Sequence, residues 1–146
     1  MKKLPMKQGD ELLNYIPQRW PFVMIDKLLE KGEDYVISGL SISEDNVLVE
    51  DGIFKESGLV ENIAQTAALF AGIRFVDQGK PIPVGYIAGI KDLSIEKMPA
   101  STSNILTRTT LLRDIGNIQI VEGKVYDENE QQLAACELRI FIKGEE

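Results

Sequence analysis

Ser57-Gly58-Leu59-Val60-Glu61-Asn62-Ile63-Ala64-Gln65-Thr66-Ala67-Ala68-Leu69-Phe70-Ala71-Gly72-Ile73-Arg74-Phe75-Val76 is the stretch from which the fold can be read. Val60, Ile63, Ala64, Ala67, Ala68, Ala71 and Phe75 recur at three- and four-residue spacing, which predicts one amphipathic helix over 57–76. Ser57 is the expected N-cap. A helix of that length measures about 30 Å at about 1.5 Å per residue, long for a chain of 146 residues. Its inward stripe is mostly alanine, and small side chains let a covering backbone come close. The segment therefore reads as a helix wrapped by a sheet rather than a member of a leucine-rich bundle, with an ordinary surface helix as the competing reading.

Strands are expected on both sides of it. Phe22–Leu29 is an apolar run bounded by Pro21 and the turn Glu30-Lys31-Gly32-Glu33, and Tyr35–Ile42 alternates. Val84–Lys97, Asn104–Arg113, Asn117–Tyr126 and Gln132–Ile142 follow the helix. The short turns at 114–117 and 127–130 make the strands they join antiparallel neighbours. Before the first strand, residues 1–16 are expected to hold a short helix or lid, with Leu12, Leu13 and Ile16 inward and Pro17 as its stop. Residues 44–56 have no sustained period and read as a crossing loop. The whole is an α+β pattern in one domain over 1–146, with no internal repeat.

Composition narrows the chemistry. There are 16 basic and 23 acidic residues, and the net charge of −7 opposes binding to phosphate backbones, so no nucleic-acid partner is expected. No window approaches the roughly 18 uninterrupted apolar residues of a membrane span. The basic start at Met1-Lys2-Lys3 has no apolar stretch of signal-peptide length behind it, so the cytoplasm is the expected location. The single cysteine, Cys136, cannot form an internal disulfide. The chain has no histidine, which removes Ser-His-Asp triads, Cys-His pairs and histidine-based metal sites. No metal and no cofactor are expected. Carboxylates, tyrosines, lysines and hydroxyls remain for any chemistry.

Three segments carry a family resemblance. Pro17-Gln18-Arg19-Trp20-Pro21-Phe22-Val23-Met24-Ile25-Asp26-Lys27 is similar to the opening signature of 3-hydroxyacyl-carrier-protein dehydratases, Pro-His-Arg-aromatic-Pro-Phe followed by an apolar strand. Only Gln18 departs from it. Gly58–Ala67 resembles the start of that family's central helix, with a glutamate four residues before a glutamine, here Glu61 and Gln65. Tyr86-Ile87-Ala88-Gly89-Ile90-Lys91, followed by Pro99, looks like the strand and loop that line the family's acyl tunnel. The resemblance implies a hot-dog fold, a long central helix wrapped by an antiparallel sheet of about five to six strands. The departure is in the loop before the helix, where the family carries its catalytic histidine in Gly-His-Phe-Pro-Gly-His-Pro. This chain has Val49-Glu50-Asp51-Gly52-Ile53-Phe54-Lys55-Glu56-Ser57-Gly58 there.

Dehydrating a 3-hydroxyacyl thioester needs a base for the proton beside the carbonyl, an acid for the departing hydroxyl, and donors for the enolate oxygen. The resemblance gives Glu61 the leaving hydroxyl, across a dimer interface from the histidine, and gives Gln65 the orientation of the site. Outside the family, Glu61 is a first-turn carboxylate favoured by the helix dipole and Gln65 a polar residue at a sheet edge. Phe22, Met24, Ile87 and Ile90 are expected to line an acyl pocket beside Tyr86, though they would equally suit a core. Gly58 and Gly89 are where backbone would approach a substrate. Glu50 or Asp51 could replace the histidine if an apolar pocket raised its pKa; a solvated acidic loop is the alternative. Lys91, Lys97, Arg108 and Arg113 are candidates for a basic rim receiving an acidic carrier, or else scattered solubilising charge. Cys136 reads as packing.

Three functions compete: a 3-hydroxyacyl thioester dehydratase of fatty-acid-like synthesis, acting on acyl carrier protein or coenzyme A thioesters; a non-catalytic acyl-binding subunit that partners a histidine-bearing paralogue and lends it Glu61; and an acyl thioesterase on the same fold. A homodimer, or a heterodimer with a paralogue, is expected, because such a fold covers its helix by association.

Overall fold

Residues 5–143 are described by the computed structural model. Following the chain, β1 is Lys7–Gln8, a 3-10 helix covers Gly9–Asn14, β2 is Lys27–Lys31 and β3 is Tyr35–Ser41. A small hairpin, β4 at Val49–Glu50 and β5 at Ile53–Phe54, leads into α1 at Glu56–Asp77. Then come β6 at Val84–Ile95, β7 at Asn104–Ile115, β8 at Ile118–Tyr126 and β9 at Gln132–Lys143. The main sheet is antiparallel throughout, in the order β1-β2-β3-β7-β8-β9-β6. One long helix lies against it, which is the hot-dog arrangement expected from the sequence. The sheet has seven strands rather than five to six. The extra one is β1, whose two residues pair with β2 where no hydrophobic period could announce them.

The short turns behave as expected. β7, β8 and β9 form a meander, and Gly116, at φ 62, makes the tight turn between Ile115 and Ile118. In the expected loop over 44–56, the chain turns between β4 and β5 through Asp51 at φ 54 and Gly52 at φ 75.

Helix α1 begins at Glu56, so Ser57 is not its N-cap. Lys55 holds that position without a capping side chain, and its carbonyl accepts the amides of Gly58 and Leu59. The expected buried stripe is also only half the story. Ile63, Ala67 and Ala71 are buried, but Val60, Ala64, Ala68 and Phe75 stay partly exposed. The more deeply buried side carries Leu59, Asn62, Thr66, Leu69, Phe70 and Ile73. Leu59, Ile63 and Ala67 join Val121, Val125, Leu133 and Leu138 of the sheet in one core. Leu69, Phe70 and Ile73 join Leu12, Ile16, Ile25, Leu28 and Val36 in a second. A helix apolar on nearly every side has to be covered on nearly every side. By length and composition α1 could cross a bilayer, yet most of that apolar length is buried within the protein.

The second core explains the N-terminal segment. Where a helix or lid was expected over 1–16, the described part is β1 and one 3-10 helix, with Leu12 and Ile16 fully buried; residues 1–4 lie outside the described residues. This segment is a wall of the core rather than a cover over a site. Its end is seated directly on α1, because a Cβ at Gly72 would fall 1.8 Å from the carbonyl oxygen of Tyr15.

Gly72→Ala tests that contact. Alanine gains up to about 1 kcal/mol of helix propensity over glycine, while overpacking costs about 1–3 kcal/mol. Because the obstacle is backbone that cannot rotate away, the cost should win, lowering stability by about 1–2 kcal/mol in denaturant unfolding. A variant as stable as the parent would show that Tyr15 is not seated there.

Candidate active site

Gln65 sits two turns into α1 and is fully buried. Its Oε1 accepts the amide of Met24 at 2.6 Å. Its Nε2 donates to the carbonyl of Phe22 at 2.7 Å and to Oε1 of Glu61, one turn earlier, at 2.9 Å. One level down, Asn62 Nδ2 donates to the carbonyl of Met24 at 2.7 Å, and Thr107 donates to Asn62 Oδ1. Thr66 Oγ1 donates to the carbonyl of Asn62 at 2.7 Å and shares a hydrogen bond of 2.7 Å with Ser38. These bonds explain why the expected strand over Phe22–Leu29 starts only at Lys27. Backbone groups of Phe22 and Met24 are satisfied by helix side chains instead of a neighbouring strand. Asn62, Thr66, Ser38 and Thr107 were missed in the sequence, although two polar residues four apart inside an apolar helix were the available signal.

The alanine side of α1 faces a cavity of about 220 Å³. Ala64, Ala67, Ala68 and Ala71 form one wall, and Gly85, Ile87, Gln119, Ile140 and Ile142 of β6, β8 and β9 face them. Pro17, Gln18 and Pro83 also line it, and among the described residues Glu61 is the one ionisable side chain on the lining. Gln65 fixes one carboxylate oxygen and leaves the other to be used.

The remaining candidates fall on either side of that wall. Ile87 lines the cavity. Met24 does not; it is fully buried core held by Gln65 and Asn62. Phe22, Tyr86 and Ile90 are about half exposed and lie outside the lining. Gly58 answers to packing, since a Cβ there would lie 2.6 Å from the ring of Phe54. At Gly89 a Cβ would meet nothing nearer than Arg139 Cδ at 3.8 Å, so no close approach demands glycine there. Glu50 and Asp51 are exposed at the tip of the small hairpin, away from the cavity lining, and match the solvated reading. Lys91, Lys97, Arg108 and Arg113 are exposed and none lines the cavity; Arg108 stacks on Tyr35 at 4.1 Å. Cys136 is core, and burial pushes its thiol up to about 11. Among the described residues no cluster is suited to hold a metal.

A family model described as ApeP-like, ApeP dehydratase, matches residues 11–145. The chain belongs to the ApeP-like dehydratase family. This ApeP-like chain is also 26% identical over 140 residues to a Campylobacter lari protein, 3-hydroxyacyl-[acyl-carrier-protein] dehydratase FabZ, covering 90% of this chain and 94% of that one. The likeness to that dehydratase group read from the three sequence segments therefore holds, at a distance that suits a divergent member. Among solved structures, the dehydratase heterocomplex ApeI:P from Xenorhabdus doucetiae matches with a TM-score of 0.83 at 17% identity, covering 99% of this chain and 94% of that one. Smu.793 from Streptococcus mutans, bound to acetyl CoA, matches at 0.68 and 16%, covering 90% and 98%. At these identities the structural matches speak for the fold.

Replacing Gln65 would strand the Met24 amide and the Phe22 carbonyl inside the protein. A buried group left without its partner costs about 1–3 kcal/mol, so Gln65→Leu should lose about 2–4 kcal/mol of stability. Glu61→Gln leaves the stranded groups satisfied and should change stability by less than about 1 kcal/mol. Denaturant unfolding of both variants measures the difference, and equal losses would mean that Gln65 is not the fastening.

Proposed function

We propose that this chain is the histidine-free half of a paired 3-hydroxyacyl thioester dehydratase, in which Glu61 is the acid for the leaving hydroxyl and a histidine-bearing paralogue brings the base. The observation that carries the proposal is the cavity wall. Glu61 is its one ionisable side chain, fixed by Gln65, among alanine, proline, isoleucine and glycine that suit a hydrocarbon chain. Elimination needs two proton-handling groups at once. Glu50 and Asp51, exposed on their hairpin, and Tyr86, half exposed outside the lining, are poorly placed to be the second.

The free edge of the sheet supports a partner. Among the described residues β6 pairs with β9 on one side only, and its twelve residues include Val84, Tyr86, Ile87, Ile90 and Leu93, all more than 40% exposed. A long apolar edge is a template for another strand. It belongs to the cavity as well, through Gly85 and Ile87, so a subunit that joins there would stand beside Glu61. The heterocomplex named among the structural neighbours is in keeping with this. The substrate would be a 3-hydroxyacyl chain on a carrier protein, as the name of the Campylobacter lari relative suggests, or the same chain on coenzyme A. With no basic side chain on the cavity lining among the described residues, the carrier would dock chiefly on the partner.

The test is turnover of 3-hydroxyoctanoyl-coenzyme A followed by enoyl absorbance. The chain alone should be inactive, and its complex with a histidine-bearing paralogue active. Glu61→Gln in the complex should lower kcat by about 10²–10⁴-fold without changing assembly. Full turnover by the chain alone, or a complex indifferent to Glu61→Gln, would overturn the proposal; thioester hydrolysis without enoyl product would favour the thioesterase reading.

A further inference from the structure

Gln119 is a cavity-lining amide that stands where its strand's pattern calls for an apolar residue. Along β8 the inward positions are Gln119, Val121, Gly123 and Val125, and both valines are core. Gln119 is 8% exposed, so more than nine-tenths of it is buried. Its amide has no hydrogen bond to any described residue. Unlike the amide oxygen of Gln18, however, it is not sealed in, and the space it borders is the cavity. A buried amide without a partner costs stability that a leucine would not, so it calls for an explanation.

Its place is far from Glu61. Strand β8 runs along α1, because a Cβ at Gly123 would lie 2.3 Å from Ile63, while Asp114, the β7 neighbour of Gln119, comes within 4.0 Å of Arg74. Gln119 is four residues along β8 from Gly123, about 13 Å at about 3.3 Å per residue, which sets it level with Ala71 on the same lining. Glu61 is ten residues before Ala71, about 15 Å down the helix at about 1.5 Å per residue. Alanines and isoleucines lie between the two.

We infer that Gln119 binds a neutral hydrogen-bonding group, a hydroxyl or a carbonyl, carried by the acyl chain well beyond the carbons beside Glu61, and so selects chains with a polar far end over plain hydrocarbon ones. This rests on the acyl chain occupying the cavity, as in the function proposed above. A primary amide offers two N–H donors and a carbonyl acceptor, so it can satisfy a hydroxyl in both directions or donate to a carbonyl. A charged group is a poor fit, because a buried charge needs a partner of opposite sign and Gln119 carries none. The polar group recovers inside the protein the hydrogen bonds it gives up in water. A methyl end would leave the amide as unsatisfied as it is without ligand.

The experiment is calorimetric binding of decanoyl-, dodecanoyl- and tetradecanoyl-coenzyme A and of their ω-hydroxy counterparts, to the purified chain and to its complex with a histidine-bearing paralogue. None of these ligands carries a 3-hydroxyl, so none is dehydrated. At the length whose end reaches Gln119, Gln119→Leu should weaken the hydroxylated ligand about tenfold relative to the plain one, the size of one hydrogen bond, while the plain one binds as tightly as before or more tightly. Gln119→Met, which keeps the length of the side chain, should behave the same. The midpoint of denaturant unfolding should stay or rise in Gln119→Leu, because no bond is lost; a clear fall would show that the amide holds the fold and would overturn the inference. So would a ratio of affinities that neither variant changes at any length, which would leave water as the amide's partner. Failure of every chain to bind would instead sink the acyl-chain reading of the cavity, and this inference with it. The dehydratase reading fails separately, by turnover that ignores Glu61→Gln, a result that leaves the affinity ratio readable.

Discussion

The candidate site of this chain is held together by the amide of Gln65. Three hydrogen bonds from one buried side chain tie the segment through Phe22 and Met24 to α1 and hold the carboxylate of Glu61. Those backbone groups could instead have been satisfied by a neighbouring strand, but a strand would have left no gap. The segment before it carries Gln18 onto the cavity wall, so the bonds that satisfy the backbone also place the site.

Such an arrangement asks the core to tolerate polarity. Asn62, Gln65 and Thr66 sit inside α1 fully buried, with Ser38 and Thr107 beneath them, and among these atoms every buried polar one finds a partner. That completeness matters because a half-satisfied buried network is costlier than an apolar core. Its benefit is register. Apolar contacts between a helix and a sheet slide at little cost, whereas the Asn62–Thr107 and Thr66–Ser38 bonds fix how far α1 is advanced along β3 and β7. A site with one carboxylate depends on that setting.

Those bonds also explain which parts of the molecule were legible in the sequence. The helix was read nearly to its ends, since twenty residues without proline can do little else. The meander over β7–β9 was read from its short turns, and Glu61 and Gln65 from their four-residue spacing and their family likeness. What was misread shares one cause, a decision made by tertiary contacts. The alanines recur at helical spacing as a core stripe does, but the same spacing serves a cavity wall, and only the partial exposure of Ala64 and Ala68 beside the cavity tells the two apart. Phe22–Ile25 has a strand's composition but gives its hydrogen bonds to a helix. Gly58 is required by Phe54, a neighbour four residues back whose ring position no local pattern reveals.

The cavity and the open sheet edge are best understood together. β6 supplies both the free ladder and, through Gly85 and Ile87, part of the wall facing the alanines. A subunit adding its strand there would bury exposed apolar side chains, exclude water from one side of the cavity and bring its own residues within reach of Glu61. Assembly and completion of the site would then be one event. Water exclusion strengthens hydrogen bonds to a developing charge, so a lone chain would be deficient twice over, in its missing base and in its wet carboxylate. On this reading the loss of histidine costs the pair nothing. One base and one acid at a single competent site suffice, and the half that keeps only the acid is free to keep its hairpin loop acidic, exposed and uninvolved.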